Sequence, residues 1–200
     1  GQLITFSHSG SLTDLTAAET ITINSVVDFD EISIGKTYSG NIKLTNTAEI
    51  LNHVKKFVIK SFQDGMNDGM DICFCRLNKT TKQLQYSGAH NPLFIFSDGT
   101  LKILKACRQP IGRYRKDQPF ACSEAQLKAG DLIYLFTDGY YDQFGGESNK
   151  KMKVKTFKAL LAKHHSKPMD KQKELFENYL NKWRGDNEQL DDITILGIKI

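Results

Sequence analysis

Two short acidic stretches stand where a folded chain can hold a carboxylate in a fixed direction. Thr137-Asp138-Gly139 follows the apolar run at residues 131–136, DLIYLF. A side chain just off the end of a buried strand points into the loop layer, and Gly139 lets the backbone come close to whatever the carboxylate binds. Asp191-Asp192 stands directly ahead of residues 193–200, ITILGIKI. If those two apolar runs are neighbouring strands, Asp138 and Asp191 meet at one edge of the sheet. Carboxylates with no base beside them suit hard, oxygen-seeking cations such as Mg²⁺ or Mn²⁺. Two such ions can activate water for in-line attack on phosphorus. Each motif alone has a plainer reading. Asp-Gly is a common turn dipeptide, and Asp-Asp can simply cap a strand.

Other reactive side chains have ordinary explanations. Asp68 and Asp71 in DGMD read as a turn residue and a strand start, with metal ligation the less favoured alternative. His90 in GAHNP is of a residue type that can serve as a general acid, the less favoured reading of it. His164 and His165 close a helix, where a cation meets the negative end of the dipole. Cys73 and Cys75 share one face of an alternating strand. With Cys107 and Cys122, and no C-x-x-C, they read as buried, inert thiols of a reducing compartment. Trp183 with Phe176 and Tyr179 is a helix core stripe.

The elements that must position these groups follow from periodicity. Asn46 or Thr47 caps a helix, with Glu49 in its first turn. Ile50, Leu51, Val54, Phe57, Val58 and Phe62 give that helix an apolar face, and it stops before Gly65. From Met70 the period changes to two. DICFCRL, QLQYSGA, PLFIFS, TLKILK, FACSEAQL and DLIYLF are short strands separated by turn residues, including Asp98-Gly99. The connections are too short for crossover helices, so an antiparallel meander is expected. A basic helix carries Phe157, Leu160 and Leu161 and breaks at Lys167-Pro168. A second helix runs from about Met169 to Gly185. Residues 193–200 read as a buried strand that closes the sheet. Residues 1–46 are less legible, with a β-branched run at 20–27, its extension over 28–34, and turns at Gly35 and Gly40. The whole is α+β, a helix–sheet sandwich.

Composition excludes several classes. A chain of 200 residues with 40% hydrophobic and 25% charged side chains is globular, not collagen-like or disordered. No apolar run approaches the roughly 18 residues that span a bilayer, and residues 1–11 do not read as a signal peptide. The net charge is +4, and the excess is local, at Lys150, Lys151, Lys153, Lys155 and Lys158. A solvated loop and helix start explains that cluster. It lacks the interleaved aromatics of single-strand nucleic-acid binders.

The runs DGMDICFCRLNKTTKQLQYSGAHNPLFIF, RQPIGRY, GDLIYLFTDGYYDQFGG and DDITILGIKI, in this order and spacing, resemble the stage II sporulation protein E family. These are bacterial metal-dependent protein phosphatases related to type 2C. The likeness covers residues 47–200. It implies an antiparallel β-sandwich flanked by helices, in α-β-β-α layers. It also implies a single domain over 1–200, in which 1–46 match poorly and 47–200 form the core. The implied activity is hydrolysis of phosphoserine or phosphothreonine on partner proteins, typically anti-sigma-factor antagonists, by water activated on two Mn²⁺ or Mg²⁺ ions. Carried over by position, Asp138 is a metal ligand and Gly139 contributes through its backbone. Asp191 supplies the second metal carboxylate, and Asp192 is the alternative. No catalytic side chain is implied beyond the ligands of that water. Arg108 and Arg113 are candidates to hold a substrate phosphate by forked hydrogen bonds, against plain solvation. The resemblance also implies a larger cytoplasmic signalling protein with a sensor region.

The departure is at the N-terminus. The family carries its other metal aspartate in an Asp-x-x-Gly-His-Gly element, and this sequence has none. His8-Ser9-Gly10 lacks the Asp and the leading Gly, and residues 1–16 are similar to the helix that follows the element. The expectation is a chain that begins downstream of it, or a degenerate phosphatase that lost it. Asp28, Asp30 or Glu31 is a poor substitute. Either way weak metal binding and little turnover are expected. The alternative, from another class, is a pseudophosphatase that binds a partner without hydrolysis. Residues 17–46 read as an inserted hairpin serving regulation or homodimer pairing.

Overall fold

The structure is a computed structural model that describes residues 46–61 and 69–200. The elements expected within residues 1–45, the candidates Asp28, Asp30 and Glu31, the helix stop at Gly65, and Asp68 lie outside the described residues. The chain runs α1 (Thr47–Ser61), β1 (Gly69–Met70), β2 (Ile72–Leu77), β3 (Gln83–Ala89), β4 (Leu93–Ser97), β5 (Thr100–Leu104), β6 (Ile111–Gly112), β7 (Ser123–Gln126) and β8 (Leu132–Phe136). Then follow α2 (Gly139–Asp142), β9 (Phe144–Gly145), β10 (Lys150–Lys151), α3 (Lys153–His164), α4 (Met169–Arg184) and β11 (Ile195–Lys199).

Asn46 caps α1. Its Oδ1 accepts the amides of Ala48 and Glu49, each at 3.0 Å, which have no partner within the first turn. The buried side is Thr47, Ala48, Leu51, Lys55 and Val58. Apolar spacing alone also assigns Phe57 inward, yet Phe57 is exposed and Lys55 is not. The reason is that the ammonium is satisfied. Its Nζ donates to Gln109 Oε1 at 3.1 Å, pairs with Asp117, and lies over the Phe120 ring. A charge so paired can be buried.

The strands form two principal antiparallel sheets, ordered β2-β3-β7 and β11-β8-β4-β5. This corrects the simple meander. β3 hands the chain to β4 in the other sheet, β7 returns to pair with β3, and β8 pairs with β4. Alternation explains the split. Leu84 and Tyr86 of β3 meet Leu93 and Ile95 of β4 and Ile133 of β8 in one core between the sheets. Phe94, Phe96, Tyr134 and Phe136 turn the other way, onto Phe157, Leu160 and Leu161 of α3 and Phe176 of α4. Ile72 and Phe74 of β2 face Leu51 and Val58 of α1. The layers are therefore helix, three-stranded sheet, four-stranded sheet, helices, the α+β sandwich that the sequence predicts.

The C-terminal strand differs from its expectation. Among the described residues β11 is an edge strand, paired to β8 alone, and Leu196 is exposed. Helix α4 ends as read, at Gly185 with φ +57. It is clamped to β9: Trp183 Nε1 donates to Gln143 O at 3.0 Å, and the Gly146 amide donates to Trp183 O at 2.7 Å.

Candidate metal centre

Strands β8 and β11 are antiparallel neighbours, with Ile195 opposite Phe136. The end of β8 thus lies beside the start of β11, and residues 137–139 share one rim with residues 191–194. Thr137 stitches the two segments. Its amide donates to Thr194 O at 3.1 Å, its Oγ1 donates to Asp192 O at 2.8 Å, and the same Oγ1 accepts the Thr194 amide at 3.0 Å. Gly139 is required by this closeness, since a Cβ there would lie 2.5 Å from the Asp192 carbonyl oxygen. Asp138 precedes α2 and makes no side-chain cap bond to it, so its carboxylate is not engaged by the helix it introduces.

Partial burial raises the Asp138 carboxyl above the usual range, and the charges of Asp191, Asp142 and Asp71 add to that. Like charges gathered in one place disfavour ionisation. Two of these carboxylates have basic partners. Asp142 accepts from Lys151 Nζ at 2.8 Å, and Asp71 faces His90 Nδ1 at 2.8 Å. Asp191 Oδ1 accepts the Asp192 amide at 2.7 Å. Gly139, Asp142, Gln143, Lys151, Leu190 and Asp191 line a cavity of about 210 Å³. A larger hollow of about 690 Å³ lies at the end of α4, around Trp183, Arg184 and Asp186, and holds none of these four carboxylates.

Asp138, Gly139 and Asp191 are brought to one rim. Asp192 is there too, but its contact with β8 is through its backbone carbonyl. Arg108 and Arg113 are exposed on either side of β6, and neither lines the cavity beside Asp191. Sequence reasoning missed Thr137, Asp142 and Lys151. Asp142 stands four residues after Asp138, one helical turn on, which is a readable spacing. Lys151 was hidden among its basic neighbours. The donor set fits a hard divalent cation in kind: oxygen ligands whose mutual repulsion a cation would relieve. In number it is short. Among the described residues no three His, Cys, Asp or Glu side chains are gathered closely enough to hold an ion.

A two-sheet antiparallel sandwich, helices on both outer faces and acidic residues at one rim of adjacent strands define a type 2C protein phosphatase fold. The chain belongs to the stage II sporulation protein E (SpoIIE) family, whose model matches residues 33–200. The match begins upstream of residue 47, where the recognisable motifs start. The chain is similar to the SiaA PP2C domain of Pseudomonas aeruginosa, at 31% identity and a TM-score of 0.70, covering 78% of this chain and 61% of that one. The RsbU and RsbW domains of Rv1364c from Mycobacterium tuberculosis share 21% identity, with a TM-score of 0.60 over 78% of this chain and 42% of that one. The PP2C phosphatase domain of SpoIIE from Bacillus subtilis, solved with a regulatory fragment, shares 15% identity, with a TM-score of 0.58 over 78% and 44%. These last two likenesses show the fold alone. The chain spans less than two thirds of each of these three structures. No curated protein matches it in sequence. Among the described residues no helix is long and apolar enough to cross a membrane.

Proposed function

We propose that residues 46–200 form the catalytic core of a metal-dependent phosphatase for phosphoserine and phosphothreonine on a bacterial signalling protein, of the anti-sigma-factor-antagonist type. The observation that carries this is the rim itself, where the strand register brings Asp138 and Asp191 together and Thr137 ties the two loops. Asp138 and Asp191 would hold Mn²⁺ or Mg²⁺, with Gly139 contributing through its backbone and Asp192 the alternative carboxylate. Divalent ions there would supply charge neutralisation and water activation for phosphoryl transfer. The partner class, and Arg108 and Arg113 as contacts for its phosphate, are drawn from the family resemblance. Solvation remains the simpler role for both arginines.

Among the described residues, Asp142 and Asp71 are already paired with Lys151 and His90, which leaves Asp138 and Asp191, with Asp192 the alternative, for ions that prefer six oxygen ligands. We therefore expect the 200-residue polypeptide to bind metal weakly and turn over slowly. The same shortage favours, as the second reading, a binding module that recognises a phosphoprotein without hydrolysing it. The test is p-nitrophenyl phosphate hydrolysis across a Mn²⁺ titration. Slow turnover that rises into millimolar metal and disappears in Asp138→Asn and Asp191→Asn supports the phosphatase. Turnover indifferent to both substitutions refutes this site, and none at saturating metal leaves the binding module.

A further inference from the structure

The cavity of about 210 Å³ beside Asp191 is enclosed by three segments. Helix α2 and the residue after it supply Gly139, Asp142 and Gln143, the stretch ahead of β11 supplies Leu190 and Asp191, and β10 supplies Lys151. Among the described residues Lys151 is the one basic side chain that lines it.

Lys151 is aimed there by its hairpin. β10 pairs with β9, Lys150 opposite Gly145 and Lys151 opposite Phe144. Successive strand residues face opposite ways, and Lys150 stays outside the cavity. Both ends of the hairpin are fixed. The Gly146 amide donates to Trp183 O at 2.7 Å, and the amide of buried Met152 donates to Gln143 O at 3.1 Å. Asp142 Oδ2 accepts from Lys151 Nζ at 2.8 Å and holds the ammonium at the cavity wall. An ammonium has three donors, and among the described residues this is the one it uses. The fold does not depend on the pair. Its side chains are 47% and 38% exposed, where ion pairs add little to stability.

Gln143 carries a second, independent sign of a ligand. Its Nε2 donates to Phe144 O at 3.1 Å and to Glu188 O at 2.9 Å. Carbonyls only accept, so the orientation of the amide is settled and Oε1 is the atom left over. The residue is 1% exposed, and nothing among the described residues donates to that oxygen. Buried acceptors without a donor are rare in folded proteins. One belonging to a residue of a cavity wall is completed by what the cavity takes up.

We propose that this cavity is the subsite for the phosphoryl group of the phosphoprotein, with Lys151 the residue that binds its oxygens. This deepens the phosphatase reading and rests on it. Phosphoryl oxygens are anionic and form strong, charge-assisted hydrogen bonds with an ammonium. The carboxylates of the wall do not bar an anion once divalent ions are bound, since those ions are then the largest charges present. The contact moves from Arg108 and Arg113, which do not line the cavity, to a lysine that does.

The test uses the 200-residue protein at saturating Mg²⁺, with Lys151→Met, Lys151→Arg and, as control, Lys150→Met. Losing a hydrogen bond between charged groups weakens binding about 10- to 100-fold. Lys151→Met should raise the KM for p-nitrophenyl phosphate by that factor, the loss falling on KM rather than kcat. Lys151→Arg should recover most of it, and Lys150→Met should change nothing. A readout without turnover is lysine acetylation followed by peptide mass spectrometry. Inorganic phosphate should slow modification of Lys151 and leave Lys150 and Lys153 at their former rates. Selective protection without turnover supports the phosphoryl site and refutes hydrolysis. An unchanged KM in Lys151→Met overturns the proposal and leaves the phosphatase standing, even where phosphate protects Lys151, because the cavity is then a site for free phosphate. Equal protection of all three lysines marks adventitious attraction to the basic stretch and overturns it too. A wild type that neither turns over nor is protected overturns both readings.

Discussion

Replacing Asp138 by asparagine should stabilise the metal-free domain and remove its response to metal. The Asp138 carboxyl is raised by partial burial, then by Asp191, Asp142 and Asp71. A carboxyl raised in the folded state is worse off ionised there than in the unfolded chain. Its favourable contribution is complete below the unfolded value and is lost as pH rises through the folded one. At neutral pH the ionised side chain therefore destabilises, and asparagine relieves this with the same shape. Solvent reaches the carboxyl, so the scale is that of exposed charge interactions, about 0.2–1 kcal/mol. In a domain of this size 1 kcal/mol moves Tm by about 2–4 °C, so a rise of up to about 4 °C is expected in EDTA. The gain should shrink as pH is lowered and the wild-type carboxyl takes up its proton. Metal reverses the order. A ligand at ten times its dissociation constant adds about 1.4 kcal/mol, so Mg²⁺ should raise the wild-type Tm by about 3–6 °C and leave Asp138→Asn nearly unchanged. Calorimetry in EDTA and across a Mg²⁺ series measures both effects. The reasoning fails if the metal-free variant is no more stable than wild type, or if Mg²⁺ stabilises the two equally.

Three further outcomes are expected. Gly139→Ala puts a methyl 2.5 Å from a backbone oxygen that cannot swing away; overpacking of this kind costs about 1–3 kcal/mol, seen as a lower urea midpoint together with a weaker Mg²⁺ response. Tyr134→Phe removes the hydroxyl that donates to buried Gln172 Oε1 at 2.5 Å; the acceptor left behind costs about 1–3 kcal/mol, with phosphate and metal binding unaffected. Burial, then the neighbouring Cys75, pushes the Cys73 thiol up to about 12, so iodoacetamide at pH 8 should spare Cys73 in the folded protein and modify it in urea, by peptide mass spectrometry.

The most informative part of the sequence was the pair of strand ends. An apolar run stopping at Thr-Asp-Gly and another starting after Asp-Asp announce two carboxylates at element boundaries, and local pattern suffices for that. Adjacency of the runs is a long-range fact. It depends on β8 being shared between β4 and β11, and period-two alternation carries no information about which strand pairs with which. The same gap explains the meander. Leu84, Ile95 and Ile133 look alike in sequence whether they share one sheet or face each other across two. Phe57 and Lys55 show the opposite failure. The helical period was right, but Lys55 lies inward because Gln109 and Asp117, more than fifty residues away, satisfy it. Lys151 and Asp71 were likewise assigned to solvent and to a strand start because their partners, Asp142 and His90, are distant in sequence or on another element.

The placement of the two carboxylates proposed to hold metal has a consequence for how the site is built. Asp138 follows β8, an interior strand of its sheet flanked by β4 and β11 and facing two cores. Asp191 precedes β11, which among the described residues is an edge strand with Leu196 exposed and no partner strand but β8. One carboxylate is thus anchored in a stable region, and the other in the kind of edge segment that opens most readily. Thr137 compensates by placing three hydrogen bonds across the junction, two of them through its hydroxyl. A cation binding both carboxylates would act at this weakest junction. Its binding energy would appear first as order in the loop before β11 and only afterwards as global stability. In hydrogen exchange, Mg²⁺ should therefore protect the amides of residues 191–195 well before it slows exchange in β4.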